Sequence, residues 1–272
     1  MKDPLVHLRA LLERAPSLAV FGQILEQLDE CPGPELEAAL AHAEAGLLRW
    51  PDELRWAGEQ LLDLSDAACL RIKPFGCLVR KLEFEPSHAG CTPELVELIA
   101  RAPELGNLKI LNLLVEDVDC DGAAAIANSP TLAGLEQLRL GDKLGDVGLV
   151  AIARSPHLNA LEQLELRGYI GEEETAIILA NSPRMAKLVD LQLEDEGLEA
   201  DAPWALGMSM YIPAQIRADY LDWLDAATLR EMAEASDVEC PAKGSKSKLI
   251  QHLLGRTMVA RMLDREARAR SQ

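Results

Sequence analysis

Aromatic residues are scarce in this 272-residue chain, 4% in all. A core here must be narrow and filled by Leu, Ile, Val and Ala. Cysteine is present but unpatterned: Cys31, Cys69, Cys77, Cys91, Cys120 and Cys240 form no C-x-x-C pair and no zinc-finger spacing, which leaves metal ligation without a motif. No apolar run nears ~18 residues and no charged-then-apolar leader opens the chain, so nothing points to export or to a membrane partner. The expected compartment is a reducing, bacterial-type cytoplasm in which the thiols stay free. A phosphate-binding loop is also missing, because Gly244-Ser245-Lys246-Ser247 lacks the first glycine and the preceding strand of that motif. His88 and Cys91 are close enough to suggest a base and a nucleophile. They sit in a loop without an enclosed pocket, however, and Cys91 and Cys120 share one offset in successive units, which a structural role explains. His7 and His42 have no Cys or carboxylate at ligand spacing. No catalytic residue, metal or cofactor is expected, and the chain reads as a non-enzyme.

Negative charge, by contrast, is abundant. A formal net charge of −18 argues against wholesale binding to nucleic acid or an anionic membrane, both polyanions. The distribution is uneven. From Lys243 to Gln272, three lysines and five arginines face only Asp264 and Glu266, a balance of +6 that leaves −24 for the remainder. An acidic body carries a basic tail.

Leucine is placed periodically. Leu108-Lys109-Ile110-Leu111-Asn112-Leu113 is echoed by Leu135-Glu136-Gln137-Leu138-Arg139-Leu140, by Leu161-Glu162-Gln163-Leu164-Glu165-Leu166 and by Leu188-Val189-Asp190-Leu191-Gln192-Leu193. The starts lie 27, 26 and 27 residues apart, within the roughly 20–29 of leucine-rich repeats. A fainter copy, Val79 to Phe84, brings the expected strands to five. Between the blocks run alanine-rich segments with apolar residues at helical spacing, such as Gly122 to Ala127 and Gly148 to Ala153. Ala102-Pro103, Ser129-Pro130, Ser155-Pro156 and Ser182-Pro183 end them at a fixed place. Each unit is a strand, a loop and a helix.

Upstream, Asp3-Pro4 opens a first helix, Ser17 to Leu28 forms a second, Glu35 to Leu48 a third, and the run around Trp50 to Leu64 reads as a fourth, with a short helical piece over Ser65 to Leu70. This gives a helical N-terminal cap over 1–76, needed because the first unit of a stack has a bare apolar end face. Repeats then occupy 77–200. After Leu198 the leucine register is lost, and 201–223, with Trp204, Met208 and Met210 as packing groups, reads as a C-terminal cap or linker.

Side chains alternate across a strand. With the leucines inward, the interleaved residues form a ladder on the concave face: Lys81 and Glu83, Ile110 and Asn112, Gln137 and Arg139, Gln163 and Glu165, Asp190 and Gln192. Glu85, Leu114, Arg167 and Glu194 stand one step further on. This is the expected protein-binding surface. Its mixed charge and few aromatics also suit a merely solvated sheet face, since binding energy concentrates on Trp, Tyr and Arg.

The blocks resemble leucine-rich repeats, and the Gly-x-x-x-Ile-Ala halves look most like the ribonuclease-inhibitor-type subclass. That resemblance implies an α/β fold, a short solenoid of parallel strands with convex helices, and protein binding without a reaction. A small all-α module is expected over 224–272. Asp225 can cap a helix over Ala226 to Ala235, Asp237 to Gly244 is extended or looped, Ser245 can cap a helix from Lys246 through Leu254, and the chain continues helically from Arg256. Leu229-Arg230-Glu231-Met232-Ala233, Val238 and Gly244 to Ile250 resemble the SAP motif and the N-terminal domain of transcription factor Rho. Many members of that family bind DNA or RNA, which would place Lys243, Gly244, Ser245, Lys246 and Lys248 against phosphates. The module lacks aromatic stacking groups, and a basic docking module for an acidic partner, or for the chain's own acidic body, is the other reading. The expectation is therefore an adaptor that meets a protein through its concave face and docks a second partner through its tail. The alternative is a nucleic-acid-associated regulator in which the tail is primary.

Overall fold

The computed structural model describes residues 4–63, 70–84, 92–114, 118–141, 143–167, 173–193, 201–236, 238 and 245–255. Its N-terminal helices follow local chemistry. Ser17 accepts a hydrogen bond from the Val20 amide at 3.2 Å, satisfying an orphan donor at the start of a helix. That helix, α2 (Leu18–Asp29), lies between α1 (Pro4–Leu12) and α3 (Gly33–Leu47). The three bury Leu8, Leu11, Phe21, Ile24, Leu28, Ala43 and Leu47 against one another and the first strands.

The fourth helix expected around Trp50 to Leu64 is corrected. Short 3-10 turns at Asp52–Leu54 and Glu59–Leu61 bracket β1 (Trp56–Ala57), and β2 (Leu62–Asp63) pairs antiparallel with β3 (Arg71–Ile72). Pro51 interrupts the helical ladder, and a better hydrogen-bonding partner is in reach. The Arg55 carbonyl accepts from the Arg80 and Lys81 amides at 2.9 and 3.2 Å. Gly58, just beyond β1, is held tightly: a Cβ there would stand 2.8 Å from the Glu83 carbonyl oxygen. The helical piece expected over Ser65 to Leu70 falls mainly outside the described residues.

A six-stranded parallel sheet follows, in the order β1, β4 (Lys81–Glu83), β5 (Ile110–Leu113), β6 (Gln137–Leu140), β7 (Gln163–Leu166) and β8 (Asp190–Leu193). This sheet has one strand more than the leucine blocks suggest, and the fold is α/β. The crossover helices are α4 (Pro93–Arg101), α5 (Cys120–Ala127), α6 (Gly145–Ala153) and α7 (Glu173–Ala180). Leu82, Leu111, Leu138 and Leu164 stand opposite one another across the strands. They are at most 1% exposed and share a core with Ile99, Ile126 and Ile152 of the helices. A seam repeats at each strand entrance, where the carbonyls of Arg80, Lys109, Glu136 and Glu162 each accept two amides from the next strand, as Arg55 does. Every unit is thereby locked to its neighbour in one register.

A second seam runs behind the helices. Ser129, Ser155, Ser182 and Ser209 are buried. Each hydroxyl donates at 2.5 Å to a carbonyl at the end of the preceding unit's helix, respectively Ala100, Ala127, Ala153 and Ala180. Each also accepts amides two or three residues ahead, for example Leu158 at 3.0 Å and Ile212 at 2.9 Å. Serine is suited to this place because one hydroxyl can donate and accept together. Carbonyls at a helix end would otherwise be buried without partners.

Among the described residues no leucine strand follows β8, but the serine seam runs on to Ser209. The helical half of the unit continues through α8 (Asp201–Gly207), Ser209 and Ile212, and only the strand is replaced. In its stead stands α9 (Ala214–Trp223). This helix has two buried faces. Ile216 and Tyr220 join the main core, whereas Leu221 packs with Leu224, with Leu229, Met232 and Ala233 of α10 (Ala226–Ala235), and with Leu249, Ile250 and Leu253 of α11, residues 246–255. Trp204 and Met208 of the α8 region pack against that second cluster, while Met210 is 38% exposed. Asp225 caps α10 as expected, accepting from the Ala227 and Thr228 amides at 2.9 and 2.7 Å. The extended or looped link expected before Gly244 and the helix expected beyond Arg256 lie outside the described residues, apart from Val238.

Candidate functional site

The strand register brings the anticipated ladder together in two straight rows. One row reads Lys81, Ile110, Gln137, Gln163, Asp190, and the other Glu83, Asn112, Arg139, Glu165, Gln192, each residue opposite the next. Because the leucines between them enter the core, these side chains occupy the sheet face turned away from the helices. Gln192 and Arg167 are exposed and the others half-buried, with one exception. Ile110 is only 7% exposed, so it offers little surface. Leu114 is half-buried, whereas Glu85 and Glu194 lie outside the described residues.

Apart from Asp190, the charges on this face are paired with one another. Lys81 Nζ lies 2.6 Å from Glu83 Oε2, and Asn112 donates to Glu83 Oε1 at 2.5 Å. Glu165 is flanked by Arg139 at 3.7 Å and Arg167 at 3.2 Å. Gln192 donates its amide to Asp190 at 2.9 Å. Among the described residues, three cations and three carboxylates leave the face near neutral. Partly exposed pairs of this kind contribute about 1 kcal/mol each, so a partner able to replace them loses little by breaking them.

Sequence reasoning missed Trp56, which stands beside Lys81 and extends the first row by one strand. The signal was present in Leu54-Arg55-Trp56-Ala57, 25 residues before Val79-Arg80-Lys81-Leu82. It was hidden because alanine replaces the central leucine and Glu59 the last. Beside it, Arg55 is 4% exposed and donates from Nε to the Leu78 carbonyl at 2.8 Å. Burial, then repulsion from Arg80, lowers its guanidinium to about 10, leaving it charged at neutral pH.

Of the five tail residues, Ser245, Lys246 and Lys248 are described; Lys243 and Gly244 are not. Ser245 and Lys248 are exposed, and the Ser245 carbonyl accepts the Lys248 amide at 2.9 Å. Lys246 is engaged by the body. Its Nζ lies 3.2 Å from Asp222 Oδ1 and also donates to the Asp222 carbonyl. The Thr228 amide and hydroxyl hold the Asp225 carboxyl below the ordinary carboxylate range, and Lys246 adds to the effect.

Burial raises the Cys31 and Cys77 thiols, with Glu35 adding to the effect at Cys31 and Glu44 at Cys77, which disfavours the thiolate form a nucleophile needs. His88 and Cys91 lie outside the described residues. Among the described residues, no group of three or more His, Cys, Asp or Glu is placed to hold a metal ion, and no helix is long and apolar enough to cross a membrane. Comparison with family models, curated proteins and solved structures finds no match to this chain.

Proposed function

We propose that the chain is a non-enzymatic adaptor built on a short leucine-rich-repeat solenoid, with helices α1–α3 capping one end and α9 the other. In this reading the repeats occupy 77–200, joined by the β1 unit. The concave sheet face binds a protein, and the module over 224–272 docks a second partner in the cytoplasm without membrane contact. The observation that carries the reading is the pair of aligned polar rows across five strands. A near-neutral face rich in amide and carboxylate groups suits another protein's polar surface better than a polyanion. For the tail, the tie between Lys246 and Asp222 gives that ammonium a counter-charge within the chain, which weakens its attraction to a phosphate backbone.

Affinity capture with the full chain and with an Arg139→Glu, Arg167→Glu variant tests the face. The reversed charges gather three carboxylates around position 165, so a partner retained by the parent is expected to fall at least about tenfold in recovery. Unchanged recovery removes this face from the proposal. In parallel, the full chain is titrated into labelled DNA and RNA at rising salt. The adaptor reading expects no shift at low salt. A shift that weakens steeply with salt, as counterion release requires, would favour the nucleic-acid regulator.

A further inference from the structure

At its far edge the sheet opens into a groove of about 580 Å³ between β8 and α9, lined among others by Val189, Asp190, Gln192, Asp219, Tyr220 and Trp223. The groove is built rather than incidental. The Asp190 amide bonds to the Glu162 carbonyl at 3.2 Å, toward β7. By strand alternation the backbone groups of Leu191 and Leu193 therefore face away from β7, toward α9. Tyr220 confirms the direction, because its hydroxyl donates to the Leu191 carbonyl at 3.2 Å. Its ring meets Trp223 with centroids 5.3 Å apart. Trp223 nevertheless stays 50% exposed and Val189 53% exposed, which is unusual surface for a chain with so few aromatics.

Charge sets this edge apart from the rest of the face. Glu83 and Glu165 each have a cation at hand. Among the described residues neither Asp190 nor Asp219 has a basic group within ion-pair distance, and no lining residue of the groove is basic. Asp219 and Trp223 are one helical turn apart on α9, hence neighbours on one face.

We propose that this groove anchors an arginine or lysine carried by an extended segment of a partner protein. Its cationic head meets the Asp190 and Asp219 carboxylates and the open Trp223 ring, an arrangement that favours cations through both charge and the ring quadrupole. Its aliphatic stem lies along Val189. The chain's net charge of −18 draws such segments toward it. This inference rests on the adaptor reading and names the end of the face at which the partner is gripped.

The test uses the full chain and a fluorescein-labelled eight-residue peptide alternating arginine with serine, followed by anisotropy, with a glutamate-for-arginine peptide as control. Saturable binding of the arginine peptide alone is expected, weakened about tenfold or more by Asp190→Asn with Asp219→Asn and again by Trp223→Ala. An Arg154→Gln variant, exposed at the end of α6 on the helical side, is expected to bind as the parent does. Thermal unfolding of each variant identifies any that fails to fold, and Asp219→Asn alone, at an exposed site, provides the conservative second reading. No binding to the parent overturns the groove proposal while leaving the capture experiment to decide the adaptor reading. Loss in the arginine variant without loss in the aspartate variants moves the anchor elsewhere and also overturns it. Binding that emerges only after the arginines of 256–272 are changed to glutamine makes the chain's own tail the occupant, which overturns the partner version.

Discussion

Replacing Leu138 by alanine is expected to lower the free energy of unfolding by about 2–5 kcal/mol, the range for deleting a large aliphatic side chain from a packed core. Leu138 is fully buried and lies in register between Leu111 and Leu164, themselves fully or almost fully buried. Neither neighbour can move inward to fill the void, because each is fixed by its own strand's hydrogen bonds. Urea denaturation followed by circular dichroism measures the loss. Val147→Ala is the control: Val147 is 70% exposed on α6, and the change is expected to stay within about 0.5 kcal/mol. A loss below about 1 kcal/mol for Leu138→Ala would mean that the leucine row is not enclosed between sheet and helices.

Ser155→Ala is expected to cost about 1–3 kcal/mol, more than a typical single hydrogen bond contributes. The reason is asymmetry. Ser155 is 1% exposed; its hydroxyl donates to the Ala127 carbonyl and accepts from the His157 and Leu158 amides. Alanine leaves the carbonyl and the Leu158 amide without that partner in a place water does not reach. The same measurement applies, and a change under about 0.5 kcal/mol would remove the serine ladder from the account of what joins successive units.

These two residues also mark how far the fold was legible. Leu138 announced its role, because a leucine block recurring every 26 or 27 residues admits few arrangements, and the same spacing put the ten ladder residues in their rows. The Ser-Pro pairs were visible as well, but only the proline's power to stop a helix was read from them. That the serine bonds backward to the preceding unit follows from tertiary packing, which no local rule contains. At the ends the pattern failed for a different reason. β1 pairs through its backbone and tolerates Ala57 where the other units use leucine. α9 must seal a sheet edge on one side and a helical cluster on the other, so it carries Ile216, Tyr220 and Leu221 and even the fully buried Arg217. Residues chosen to close a stack do not repeat the stack's motif. The groove beside α9 was invisible in the sequence because Asp190 and Trp223, 33 residues apart, meet only once α9 has turned back onto β8.

The C-terminal helices bear on how the tail acts. Leu221 of α9 and the Trp204 and Met208 side chains pack with α10 and α11. A fragment beginning at 224 would leave part of that cluster behind, which is why the tail is best assayed within the full chain. With Lys246 held against Asp222, Lys248 is the described tail lysine that faces solvent without such a tie.

The most direct test of the proposed binding face is site-specific photo-crosslinking in cells, with a photoreactive residue placed at Gln163, in the middle of the first row, or at Val147, exposed on the helical side. The account predicts a discrete protein adduct from position 163 and none from position 147. An adduct from 147 alone, or none from 163 under conditions in which affinity capture recovers a partner, would contradict it.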